Sequence, residues 1–152
     1  MNIADPSICG WDTASSLTVA KNIEGNFIYF SHLFPAFSIL FLAIFVFIHN
    51  PRGRSAQALL AMALTFTAWS LTDLAAWATE RSDFIMFFQS ILVHFELLVY
   101  ITAFYFIHTL FTNRWPGWRA EAVILALFVP LVLFAHTSLN LLGFDFLNCS
   151  RE

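Results

Sequence analysis

Charged residues are scarce in this chain: they make up 11% of its 152 residues, whereas a soluble domain carries about 25%. Hydrophobic residues make up 59% of the chain, and nineteen residues are phenylalanine. A chain of this length cannot hide so much apolar surface inside a soluble globule, because small domains leave a large share of their surface exposed. The composition therefore excludes an ordinary soluble domain and predicts the lipid bilayer as a partner.

The chain also lacks a basic run, with seven Lys and Arg against ten Asp and Glu and a net charge of −3. Without a basic patch to receive phosphates, we do not expect nucleic acid as a partner. Glycine-rich phosphate loops, nucleophile elbows, kinase motifs and Cys/His metal clusters are missing from the sequence as well. The sequence predicts no enzyme activity, no cofactor and no metal site.

Glycine and proline are few, with five of each, and they leave long apolar runs between them. A membrane-spanning helix needs about 20 mainly apolar residues. Pro35 and Pro130 fall inside two of the runs, which membrane helices tolerate because neighbouring groups satisfy the freed carbonyls. We predict an all-α polytopic membrane protein with four transmembrane helices in an antiparallel up-down bundle over residues 27–145. The predicted spans are about 27–49, 57–79, 84–111 and 119–142.

Residues 1–26 lack the positive start and the long apolar stretch of a cleaved signal peptide, and they carry Asp5 and Asp12 instead. They are predicted to form an uncleaved extracytoplasmic leader, and residues 146–152 an extracytoplasmic tail.

Arginine is concentrated in the loops after the first and third spans, whereas the opposite loops carry most of the acids. Short arginine-bearing loops remain in the cytoplasm. We therefore predict a multi-pass protein of the inner (plasma) membrane with its N-terminus outside. A residue before proline avoids helical geometry, which ends the first span. The residues that set this topology are Asn50, Pro51, Arg52, Arg54, Arg114 and Arg119.

Cysteine is limited to Cys9 and Cys149, and the predicted topology puts both outside. An oxidising compartment permits a disulfide between them, which would tie the leader to the tail. Two unrelated thiols are the alternative, and the sequence leaves both open.

Ionisable residues inside a membrane are costly and are functional candidates by default. At helical spacing, Gln89, Glu96 and Tyr100 fall on one stripe of the third span, and Trp69 and Asp73 on a stripe of the second. If the stripes face each other, they form a polar seam that could bind a ligand. The alternative is a structural role, with the two carboxyl groups hydrogen-bonding across helices at about 1 kcal/mol or less each.

The histidines suggest a haem site as a further alternative. His94 and His108 are fourteen residues apart on one face of the third span, with His32 and His136 towards the outside and His49 towards the inside. Two arguments oppose it: the helices lack small residues that would admit a macrocycle, and phenylalanines crowd the region. These are Phe95, Phe104 and Phe106.

Several short motifs resemble the N-terminal seven-helix sensory region of bacterial histidine kinases and related signalling proteins. In that family the first helix ends in an Asn-Pro turn, and the second carries a Trp about a dozen residues later. The resemblance covers about residues 27–145, the first four of seven helices. Its motifs are Ile48–His49–Asn50–Pro51–Arg52, Ser55–Ala56–Gln57, Ala68–Trp69–Ser70–Leu71, Arg114–Trp115–Pro116 and the Pro-containing fourth span.

The resemblance implies an outside N-terminus and a membrane-embedded sensory module that passes its signal to a cytoplasmic output. The remaining three helices and the phospho-accepting and nucleotide-binding parts are not in this sequence, so no enzyme activity carries over. We expect either a fragment of a longer sensor or a reduced protein that recruits partner helices or a cytoplasmic signalling module. A structural accessory subunit of a larger membrane complex is the first alternative, and a haem- or quinone-linked electron-transfer subunit is the second.

Overall fold

The structure, a computed structural model, describes residues 26–78, 82–134, 144–145 and 150–151. Its four helices are α1 (Asn26–His49), α2 (Arg54–Ala78), α3 (Ser82–Thr112) and α4 (Trp118–Phe134). Two strands of two residues each, β1 (Phe144–Asp145) and β2 (Ser150–Arg151), pair in antiparallel fashion. The predicted helical class is confirmed by the four helices, whereas the two short strands were not predicted.

The second helix starts earlier than the predicted span. α2 begins at Arg54 rather than at residue 57, because the backbone N–H of Gln57 already donates to the carbonyl of Gly53 over 3.0 Å. The described part of α4 ends at Phe134. Residues 135–142 of the predicted fourth span therefore lie outside the described residues. The predicted leader lies almost entirely outside them, as does most of the predicted tail.

Three described segments are long and apolar enough to cross a membrane: Phe30–His49, Arg54–Ala78 and Phe84–Thr112. The described part of α4 has 17 residues. At 1.5 Å per residue it is about 26 Å long, shorter than the roughly 30 Å hydrocarbon core of a bilayer. The expectation of apolar, membrane-compatible helices is confirmed for three helices, and the fourth span stays a prediction.

Large apolar side chains point outwards and small ones pack between helices. Phe34, Phe41 and Phe111 are among the most exposed side chains, whereas Ala36 and Ala43 are fully buried. Eight residues of α2 are buried, and seven of these are alanine, serine or threonine. Small residues let helix backbones approach closely in lipid, where burying apolar surface supplies no drive for helices to associate. The distribution is the one expected of helices that face lipid.

The second helix lies between the first and the third. It packs along both neighbours, while α4 contacts α3 over few residues. Thr65 Oγ1 lies 2.9 Å from Thr102 Oγ1, and Arg54 Nη1 donates to the carbonyl of Asn113 over 2.7 Å. Residue numbers thus rise along α2 as they fall along α3, so this pair runs antiparallel. These two contacts hold α2 and α3 side by side.

A tight turn joins α1 to α2. The N–H of Gly53 donates to the carbonyl of Asn50 over 3.0 Å, which closes a four-residue turn with Pro51 second and glycine last. Asparagine, proline and glycine are favoured at these positions of a type I turn. A Cβ on Gly53 would lie 2.7 Å from Asn50 Cγ, so a side chain here would displace that of Asn50. The Gln57 side chain also donates to the carbonyl of Pro51 over 3.0 Å.

Candidate functional site

An ionisable pair joins the first two helices. His32 Nε2 lies 2.9 Å from Asp73 Oδ2, and each side chain is 21% exposed. Since a carboxylate oxygen accepts, Nε2 carries the hydrogen and donates to Asp73. On the other side of the ring, Nδ1 lies 3.1 Å from Ser31 Oγ. The result is a hydrogen-bonded chain from Ser31 through the imidazole to the carboxylate.

The position of this pair follows from the turn. His32 and Asp73 are 41 residues apart, and the midpoint between them falls within the Asn50–Gly53 turn. In an antiparallel helix hairpin, residues equally distant from the turn lie at the same level. The sequence singled out Asp73 but missed its partner, and this symmetry about the turn is the signal that could have identified His32.

Two further contacts hold α1 against α2 near the pair. Leu33 packs against a buried cluster of Leu74 and Ala78, on the same side of Pro35 as His32. After Pro35, Thr67 Oγ1 lies 3.2 Å from the carbonyl of Ala36. A proline inside a helix removes one helical hydrogen bond and allows a bend. The contacts of α1 with α2 thus fall on both sides of a position at which α1 can bend.

The structure does not bring the two predicted polar stripes together. Within the described part of the chain, the Asp73 side chain hydrogen-bonds to His32 on α1, and Glu96 makes no side-chain hydrogen bond or ion pair. Glu96 is exposed and Tyr100 is 65% exposed. Thr109, which is buried, lies nine residues from Tyr100 and therefore about 180° around the helix. Gln89 and Trp69 are half-buried.

The reason for this arrangement lies in the second half of α3, which buries Thr109 and directs Thr102 towards α2. Both residues lie on a face more than about 100° away from the stripe of Glu96 and Tyr100. In its first half α3 buries Ile85 and Leu92, which share the stripe of Gln89. Helical spacing alone shows which residues share a stripe, but it does not show which stripe faces a neighbour.

Three histidines hydrogen-bond to backbone carbonyls. Nδ1 of His49 lies 2.8 Å from the carbonyl of Phe45, and Nδ1 of His94 lies 2.7 Å from that of Ser90. Nδ1 of His108 lies 3.0 Å from the carbonyl of Arg114. Because a carbonyl only accepts, Nδ1 carries the hydrogen in each case.

The structure adds nothing in favour of a haem or metal site. The described residues contain no group of three or more His, Cys, Asp or Glu side chains placed to hold a metal ion. The argument that the helices lack small residues is wrong, because α2 has several. These small residues are buried where α2 packs against its neighbouring helices. His136 lies outside the described residues, as do Cys9 and Cys149 of the predicted disulfide.

The topology-setting residues lie at the opposite end of the hairpin from the His32–Asp73 pair. Asn50, Arg52 and Arg54 line one open pocket of about 420 Å³ together with Asn113. Pro51 is the second residue of the turn. The side chain of Arg119 stacks over the Trp118 ring at 5.7 Å from the ring centroid, and Arg114 is exposed.

No family model, curated protein or solved structure matches the chain. The resemblance to a sensory region therefore stays a hypothesis based on its short motifs.

Proposed function

We propose that the chain is a membrane-embedded sensory module of a signal-transduction protein, non-enzymatic in this part, which relays a signal by rearranging its helices. The observation that carries the proposal is the His32–Asp73 pair, at 2.9 Å, between two helices that are apolar enough to cross a membrane. Ionisable residues at such positions are costly and mark functional sites. The motif resemblance to sensory regions of histidine kinases supports the same function.

The mechanism is a movement of the first part of α1. In one state the His32–Asp73 pair and Leu33 hold this part against α2. A stimulus that binds or protonates the pair favours a second state, in which α1 bends at Pro35 while the Ala36–Thr67 contact persists. A ligand shifts such an equilibrium only by its difference in affinity for the two states.

The proposed module needs further helices, and Glu96 supports this requirement. Its carboxyl group is exposed near the middle of the apolar helix α3. A carboxyl group facing hydrocarbon is expensive, so a polar partner on another helix is expected to cover it. The proposal includes completion of α4 as a fourth span in an antiparallel up-down bundle, together with additional helices or a cytoplasmic signalling module.

The proposed orientation puts the N-terminus outside and the Asn50–Gly53 turn in the cytoplasm of a cell with an inner membrane. Its support is the arginine count of the short loops. In intact cells, an Arg52→Cys variant in which Cys9 and Cys149 are replaced by serine should react with a membrane-impermeant maleimide only after the membrane is opened. Reaction from outside would contradict this orientation.

The proposed movement predicts a change in disulfide cross-linking between α1 and α2. In the full chain, cysteines replacing Leu33 and Leu74 should cross-link readily, because these residues pack together. Adding Asp73→Leu should slow this cross-linking by about tenfold, within the range of typical conformational couplings. The rate of disulfide formation under a mild oxidant, followed by non-reducing electrophoresis in native membranes, measures the effect.

A second cysteine pair on the other side of Pro35 serves as the matched control. Cysteines replacing Ala36 and Thr67 should cross-link at a rate that Asp73→Leu changes by less than about twofold. Both experiments use a chain in which Cys9 and Cys149 are serine. If Asp73→Leu slows both pairs equally, the hairpin has separated as a whole; if it slows neither, the pair does not hold α1. Either result contradicts the proposed mechanism.

A structural accessory subunit is the second candidate, and exposed Glu96 also favours it, because a partner subunit could supply the covering group. The two functions differ in what covers Glu96. A photo-crosslinker at position 100, one turn away on the same face, should capture a large stable complex if the chain is a subunit. If the chain is a sensor, the photo-crosslinker should instead capture helices of the same signalling protein.

A further inference from the structure

A polar pocket lies where the ends of three helices meet. Its volume is about 420 Å³, and it opens beside the turn between α1 and α2 and the end of α3. The lining residues are Asn50, Arg52, Gly53, Arg54, Ser55 and Asn113. They include two arginines and no carboxylate, so the pocket carries a charge of about +2 that nothing in its lining neutralises.

Of the two arginines in the pocket, Arg54 is held in place by a hydrogen bond and Arg52 is available to bind a ligand. Arg54 Nη1 donates to the carbonyl of Asn113 over 2.7 Å, which fixes the guanidinium between α2 and the end of α3. Asn113 has a φ of 51°, a left-handed conformation that asparagine tolerates and that ends a helix. Arg52 is exposed and makes no side-chain hydrogen bond within the described residues. A guanidinium has five N–H donors, so both arginines can donate to one phosphate group.

The position of the pocket along the membrane-compatible helices indicates the source of its ligand. All three membrane-compatible segments have an end at this level: Phe30–His49, Arg54–Ala78 and Phe84–Thr112. Phe111 and Trp118 are largely exposed at the same end of the molecule. Tryptophan side chains favour the headgroup level of a bilayer. The pocket is therefore at the height of lipid phosphates, with apolar surface beside it for acyl chains.

We propose that this pocket binds the phosphate group of an anionic membrane lipid. Arg52 and Arg54 donate to the phosphate oxygens, and the side chains of Asn50 and Ser55 offer further donors. The lipid bridges the first turn and the end of α3, and so it ties the cytoplasmic ends of the three helices together. This assignment does not depend on the proposed sensory function.

Native mass spectrometry of the full chain tests the proposal. The purified protein is supplied with equal amounts of phosphatidylglycerol and phosphatidylcholine in a neutral detergent. The wild-type chain should retain phosphatidylglycerol preferentially. Arg52→Gln should weaken its retention by about tenfold, the scale of one charge-assisted hydrogen bond to phosphate. Arg52→Lys, which keeps the charge but not the forked geometry, should lie between the two.

The matched control is Arg119→Gln, which removes an arginine outside the pocket and should change retention by less than about twofold. Equal losses in the two Gln variants would show a general surface attraction and overturn the site. Inorganic phosphate supplies the second arm: if it displaces the lipid at equal concentration, the pocket is a site for a free anion, and the lipid assignment is wrong. Because Arg52 is exposed, its variants should keep the wild-type circular dichroism spectrum.

Discussion

Ala36→Leu is expected to destabilise the protein by about 3 kcal/mol, the upper range for forcing a larger side chain into a packed contact. Ala36 is fully buried, and its carbonyl lies 3.2 Å from Thr67 Oγ1. A leucine here cannot fit without moving α1 away from α2, which would also separate His32 from Asp73. Unfolding in a denaturing detergent titration, followed by far-ultraviolet circular dichroism, measures the loss.

The control for this change is Ser38→Leu, two residues along the same helix. Ser38 is exposed, so its replacement by leucine should alter stability by no more than about 0.5 kcal/mol. Similar effects of the two substitutions would mean that α1 does not pack on α2 through Ala36. The comparison is independent of the function of the chain, because it tests only which face of α1 is in contact.

Removing one partner of the His32–Asp73 pair is expected to cost about 2 kcal/mol, less than the 3–5 typical of fully buried pairs, because each side chain is 21% exposed. His32→Leu removes the donor to the Asp73 carboxyl group, and Asp73→Leu removes the acceptor of His32 Nε2. The double variant leaves neither group unsatisfied. It should therefore be more stable than the sum of the single effects implies, by about 1–2 kcal/mol.

The same detergent titration on the wild type, both single variants and the double variant gives this coupling energy. A coupling below about 0.3 kcal/mol, the scatter expected of independent sites, would show that the pair does not interact. Glu96→Leu is the matched control. The Glu96 carboxyl group has no side-chain partner within the described residues. The changes in stability caused by Glu96→Leu and His32→Leu should therefore simply add in the double variant.

The helices themselves were predictable because their causes are local. Long apolar runs with few breakers predict membrane-compatible helices, and Asn50, Pro51 and Gly53 predict the turn that separates the first two. α2 nevertheless begins before the predicted start of its span, since hydropathy follows the apolar core and not the first hydrogen bond of the helix. Only the structure shows that the carbonyl of Gly53 accepts a hydrogen bond from the backbone N–H of Gln57 in the first turn of α2.

The candidate site was predictable only in part. Asp73 stood out because a carboxyl group among apolar residues is rare, and this argument needs no coordinates. Its partner could have been found by counting equal distances from the turn. The outward direction of Glu96 and Tyr100 could not have been predicted from the sequence. Helical spacing groups residues into stripes, but it does not show which stripe contacts a neighbouring helix.

The sequence by itself determined the all-α class, the apolar segments and the presence of isolated ionisable residues, since each follows from composition and local order. The tertiary structure alone decided that α2 lies in the middle, that His32 meets Asp73 and that Arg52 and Arg54 share a pocket with Asn113. These facts depend on how helices are rotated about their axes. That rotation is set by where small residues allow two backbones to approach, a property of pairs of helices and not of either one.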